Sequence, residues 1–164
     1  MQSKQSTKKI QQFIKFWEEE TLSINKDFQH SEQSNIITRY MKLLNVSLIY
    51  FKEAKSKDLK KQLLDCVCIS YENIGEVYKQ ESQKLKEIEI NIFLFHFISK
   101  NAFEKDEVYN FNVIQHLTRS YSNFIYSIKD IDKKFTDKIT KELLKKAKVI
   151  EKQYLNIRNI HEGV

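Results

Sequence analysis

Apolar residues recur along this chain at three- and four-residue steps, interrupted at intervals by short polar stretches, and the pattern predicts helix after helix. The first runs over 6–28, with Ile10, Phe13, Ile14, Trp17, Ile24 and Phe28 on one face and Glu18, Glu19 and Glu20 on the wet side. Residues 29–35 break the pattern, and Ser34 or Asn35 is placed to cap the second helix. That helix, 36–55, carries Ile37, Tyr40, Leu44, Ser47, Leu48 and Phe51, flanked by Ile36 and Leu43. A joint at Ser56-Lys57-Asp58, with Ser56 or Asp58 as cap, leads into a third at 59–81. There Leu63, Cys66, Val67, Ser70, Ile74, Val77 and Tyr78 share a face.

Residues 85–99 align Leu85, Ile88, Ile92, Phe95 and Ile98 as a helix, although Asn91 to Phe97 would also suit a buried strand. Helix is preferred because no other stretch supplies a partner strand. Being apolar nearly all round, it belongs at the centre of the fold. After a polar loop at 101–107, a fifth helix is expected over 105–128, with Val108, Phe111, Ile114, Leu117, Tyr121, Phe124 and Ile128 inward. A turn at 130–136 leads to a sixth, ending near Asn159. Its stripe is Ile139, Leu143, Ala147, Ile150, Tyr154 and Ile157, opposite Lys141, Lys145, Lys148 and Lys152. The fold class is therefore all-α: six antiparallel helices in three hairpins, within a single domain over 1–164 whose ends, 1–5 and 160–164, fray.

Composition agrees. With no proline and two glycines in 164 residues, the chain lacks the turn residues that a sandwich or barrel needs. The net charge of +6 comes from 28 basic and 22 acidic residues that interleave, which describes a solvated helical surface more than a nucleic-acid footprint. The densest basic segment, Lys133, Lys134, Lys138, Lys141, Lys145, Lys146 and Lys148, is mixed with Asp and Glu, and the aromatic residues fall mostly on stripe positions. Both features argue against nucleic acid as the partner. The opening MQSKQSTKK has no apolar run of signal-peptide form, and the apolar run at 88–98 is too short to span a bilayer. The expected location is the cytoplasm, with no membrane span.

Catalytic signals are weak. Cys66 and Cys68, two apart on a helix, point to different sides and read as buried, reduced thiols. Histidines 30, 96, 116 and 161 lack ligand spacing on their own faces, although His96 and His116 would approach if the fourth and fifth helices pack. There is no phosphate loop and no serine elbow. The reading is of a non-enzyme with no metal and no cofactor.

Tyr71-Glu72-Asn73-Ile74-Gly75-Glu76-Val77-Tyr78 resembles the first helix of a tetratricopeptide repeat, in the spacing of Tyr71, Ile74, Gly75 and Tyr78. The glycine, roughly 1 kcal/mol worse than alanine in a helix, fits a place where another helix crosses closely. The small residues of the repeat's second helix and its closing proline are missing. The order of LIYFKEA (48–54), a polar joint, YENIGEVY (71–78), HLTRSYS (116–122) and a terminal Lys- and Tyr-containing helix is similar to the C-terminal part of the kinesin-binding protein family. That family is several times longer.

The resemblance implies an α-solenoid that clasps kinesin motor domains and blocks their attachment to microtubules. By analogy with a tetratricopeptide-like hairpin, partner contacts would come from Glu72, Glu76 and Lys79 on the third helix. Asn112, Arg119 and Asn123 would add to them from the fifth. The expected function is a helical protein-binding adaptor, cytoplasmic or cytoskeletal. The alternatives are a scaffold subunit of a larger assembly and a basic nucleic-acid-binding domain.

Overall fold

The computed structural model describes residues 3–30, 35–102, 107–129, 131–133 and 137–163, with backbone alone at 107–109, 132 and 137. Among the described residues it is helical throughout, without a strand. The six α-helices are α1 (Lys4–Gln29), α2 (Ile36–Glu53), α3 (Lys57–Gln80), α4 (Lys84–Lys100), α5 (Glu107–Ile128) and α6 (Asp137–Glu162), with a 3-10 turn at Ile131–Lys133. The cap at Ser34, the start of α5 at Lys105, Lys134 and the side chain of Val108 lie outside the described residues. The ambiguous run at 88–98 is helix.

Chain contacts fall into two compact units, Met1–Val77 and Tyr78–Val164. The division passes through the last turn of α3, inside the stretch that reads most uniformly as one helix.

In the first unit, α1 opens on Ser3, whose hydroxyl accepts from Ser6 N–H at 3.1 Å. It buries Ile10, Phe13, Ile14, Trp17 and Ile24 as its periodicity predicts, together with Thr21. Toward α2, the Phe13 and Tyr50 rings lie 5.1 Å apart. Arg39 of α2 reaches across to donate to Glu20 at 2.9 Å and to Ser23 at 3.1 Å, and it pairs with Asp27. Tyr40 donates to Asn25. Asn35 stands at the N-cap of α2, but its side chain makes no capping bond. Its backbone lies in the helical region (φ −117°, ψ −6°), where the side chain is not aimed at the first turn. At α3 it is Ser56 that caps, its hydroxyl 3.5 Å from Leu59 N–H and its carbonyl accepting from Lys60 at 2.9 Å. Leu63, Leu64, Val67 and Ile74 of α3 are fully buried, and each contributes about 1.5–3 kcal/mol by leaving water. The indole N–H of Trp17 donates to Ser70 at 2.9 Å, tying α1 to α3.

The second unit begins at the end of α3. Gln83 N–H bonds Tyr78 C=O at 2.8 Å and Ser82 N–H bonds Lys79 C=O at 3.1 Å. Together these form a Schellman closure, with Ser82 at φ 57° where glycine is usual. Helix α4 packs against both α5 and α6. It buries Ile88, Ile90, Ile92, Leu94, Phe95 and Ile98 together with Asn91 and Glu87, so the expectation of a central, nearly all-round apolar helix holds within this unit. Phe93 and Leu85 are the large exceptions, 50% and 43% exposed, and Leu85 was expected on the buried stripe.

Helix α5 is rotated from its expected orientation. Val113, His116, Leu117, Ser120, Phe124 and Ser127 are buried, whereas Phe111 is 67% exposed and Ile114, Tyr121 and Ile128 are half-buried. The cause is the two serines. Each hydroxyl is satisfied on its own helix, Ser120 on Leu117 C=O at 2.9 Å and Ser127 on Phe124 C=O at 2.7 Å. Small, self-satisfied residues can therefore face the packed side.

On α6 the stripe is fully covered only in its later part, at Ile150, Tyr154 and Ile157; Ile139, Leu143 and Ala147 are half-buried. Tyr154 stacks on Tyr121 at 4.1 Å and 7°. The helix runs through residues 160–162, where His161 bonds Ala102 C=O and Arg158 pairs with Glu162. At the other end, α1 starts at Lys4, with Ser3 as its N-cap.

Candidate protein-binding surface

The sequence-predicted contact residues divide between the units. Glu72 and Glu76 belong to the first; Glu76 is exposed and Glu72 half-buried. Lys79, Asn112, Arg119 and Asn123 belong to the second, where three are exposed and Asn112 is half-buried. At 3.6 residues per turn, Asn112, Arg119 and Asn123 run down one edge of α5. Lys79 comes to the same side, its ammonium 5.2 Å from the centre of the Tyr126 ring. Arg119 donates to Nδ1 of His116 at 3.1 Å. A guanidinium can only donate, so that nitrogen accepts. Of the motif residues, Ile74 and Gly75 are buried and Tyr71 and Tyr78 half-buried. Burial pushes the phenols of Tyr71 and Tyr78 upward, and for Tyr78 the nearby Glu81 and Glu89 push the same way.

Sequence reasoning missed the side chains beside those polar residues. Phe111, Ile125 and Tyr126 project from the outward face of α5, exposed by 67%, 40% and 61%. A shallow groove of about 600 Å³ lies at the Ile125 and Tyr126 end of this face, lined by Tyr121, Ser122, Ile125, Tyr126, Ile128 and Lys129. A signal for this face exists in the sequence. In a chain that is 30% charged, the 22 residues of α5 contain Glu107 and Arg119 as their only Asp, Glu, Lys or Arg. Aromatic and arginine side chains with few other charges mark the core of protein interfaces.

Reactive groups are held quiet. Cys66 and Cys68 are free and buried. Burial, with Asp65 and Glu18 close by, pushes the Cys66 thiol up to about 12, so it is not a thiolate at neutral pH. His96 faces outward on α4; partial burial, Lys100 and Lys146 each lower its proton affinity. Helices α4 and α5 do pack together, yet His116 is engaged with Arg119 on its own helix. Among the described residues, no group of three or more His, Cys, Asp or Glu side chains is placed to hold a metal ion. Nor, among them, is any helix long and apolar enough to cross a membrane.

No protein-family model, curated protein or solved structure matches this chain.

Proposed function

We propose that the chain is a non-catalytic, cytoplasmic helical adaptor whose α5 docks a protein partner through its outward face. The observation that supports this reading is the pairing of exposed Phe111, Ile125 and Tyr126 with a helix almost empty of charge. Exposed aromatic residues contribute large contact area with few torsions to freeze, and an uncharged setting keeps the desolvation cost low. Lys79, Asn112, Arg119 and Asn123 form the polar rim. The architecture assigned to it is a divergent tetratricopeptide-like α-solenoid, and the partner is a kinesin motor domain kept from its microtubule. Both assignments rest on the YENIGEVY helix and on the order of elements around it.

Titrating a purified kinesin motor domain with the chain tests this directly. Saturable binding and reduced co-sedimentation of the motor with microtubules are expected. Phe111→Ser with Tyr126→Ser should weaken binding by roughly tenfold or more, the usual scale when interface anchors are truncated. Charge reversal by Glu76→Lys with Arg119→Glu should weaken it without changing helicity. A motor that ignores the wild-type chain, or binds both variants as well as wild type, overturns the assignment. A scaffold subunit is the second reading, favoured by the half-exposed Phe93 on α4; self-association lost in Phe93→Ser is its signature.

A further inference from the structure

The outer face of α6 is a row of lysines. At 3.6 residues per turn, Lys138, Lys141, Lys145, Lys148 and Lys152 fall within a sector roughly 80° wide, and all are exposed. The row is about 21 Å long at 1.5 Å of rise per residue, and exposed Asn156 and Asn159 prolong it without charge. Glu142 and Glu151, the acidic residues within this span, stand outside that sector, one to each side. Leu144 and Leu155 border the row on one flank, Val149 and Ile160 on the other, each 46–61% exposed. Among the described residues, none of these lysines is held in an ion pair.

The order across the face, apolar then basic then apolar, decides what fits. A helix in the major groove of DNA meets base edges at its centre and phosphates along its flanks, so its cations belong at the edges. A helix lying in a membrane interface buries an apolar centre and lets lysines snorkel outward from the edges. Both demand the reverse arrangement. A flat anionic surface would meet the lysines and leave both apolar columns in water.

We propose that this face of α6 seats in a concave protein surface with an acidic floor and apolar rims, such as the groove between two helices of an acidic partner. Carboxylates at three- and four-residue steps on a helix repeat about every 5 Å along its axis, the same repeat as the lysines. The rims would cover Leu144 and Leu155 on one side and Val149 and Ile160 on the other. Glu142 and Glu151, next to those columns, penalise any registry that brings further acid to the edges. This surface lies on a different helix from the α5 face and stands independently of it.

The test uses the full chain and a designed antiparallel helical hairpin with a glutamate floor and leucine rims. A glutamine-floored twin, a 20-base-pair duplex and vesicles of equal parts phosphatidylcholine and phosphatidylserine are titrated alongside. The glutamate hairpin should bind tightest, by roughly tenfold over its glutamine twin, as charge complementarity across several pairs requires. Lys145→Glu with Lys148→Glu should cost a further tenfold or so, and Leu144→Ser with Val149→Ser a smaller but measurable loss, each with unchanged circular dichroism. Phe111→Ser with Tyr126→Ser should leave this binding intact, which separates failure here from failure of the α5 reading. No binding to the glutamate hairpin, equal binding to both hairpins, tighter binding to duplex or vesicles, or indifference to the lysine reversals would overturn the proposal.

Discussion

Ser70→Ala is the sharpest probe of how the first unit is held. Ser70 is 1% exposed and Trp17 7%, and the indole N–H donates to the serine oxygen at 2.9 Å. Removing the hydroxyl strands a buried donor, at a cost of about 1–3 kcal/mol. Alanine returns about 0.5 kcal/mol of helix propensity, so the net loss should be about 0.5–2.5 kcal/mol. With a urea slope of about 2 kcal/mol per molar, the midpoint should fall by roughly 0.3–1.2 M. Trp17 is the one tryptophan in the chain, so its emission follows this unit without interference. Ser122→Ala, on the exposed side of α5, controls for propensity and should not destabilise. Trp17→Phe removes the donor and some ring area; combined with Ser70→Ala and followed by circular dichroism, it should cost about 1 kcal/mol less than the two losses summed. A midpoint unmoved by Ser70→Ala, or strict additivity in that cycle, would show that the bond contributes nothing.

Other consequences are checked as readily. Ser82→Gly should stabilise by about 0.5–1 kcal/mol, because φ 57° strains a side chain that glycine lacks; a lowered melting temperature would contradict the Schellman assignment. Arg39→Met should cost about 1 kcal/mol at low salt and less at 1 M salt, since its partners Glu20 and Asp27 are partly exposed; a loss independent of salt would point to packing instead. Stability should drain as pH rises above 9. The unfolded chain gives up its Cys66 thiol proton near 9.0 and its Tyr40 phenol proton near 10.0, whereas burial in the folded chain pushes both up to about 12. Both contributions are whole below pH 9 and are lost between there and pH 12. Cys66→Ala should flatten the first part of that fall in urea midpoints, and a midpoint constant from pH 8 to 11 would refute it.

How far the fold could be read from sequence depended on residue type. In α1 to α3 the core is mostly Ile, Leu, Val, Phe and Trp at helical steps, and the buried Ser47 and Ser70 fall in line with them, so periodicity locates the buried face and misses Thr21. In α5 the buried face includes His116, Ser120 and Ser127, which periodicity counts as polar, and the reading rotated toward Phe111. Nothing local marks Arg39 as the tie between α1 and α2; its acceptors lie twelve to nineteen residues back in the chain. The division after Val77 is invisible because α3 continues unbroken through it. The polar edge residues of α5 were legible as offsets from a stripe. Its exposed aromatic side chains were not: periodicity assigns Phe111 to the core and Tyr126 to neither face.

The central claim is that α5 meets a partner through its outward face, and a photoreactive benzoylphenylalanine tests it most directly. Placed at Tyr126 or Phe111 and irradiated with a purified kinesin motor domain, it should yield a cross-linked adduct. The same group at Phe16, exposed on α1 in the first unit, should yield none. Adducts at Phe16 alone, or at none of the three positions, would contradict the account.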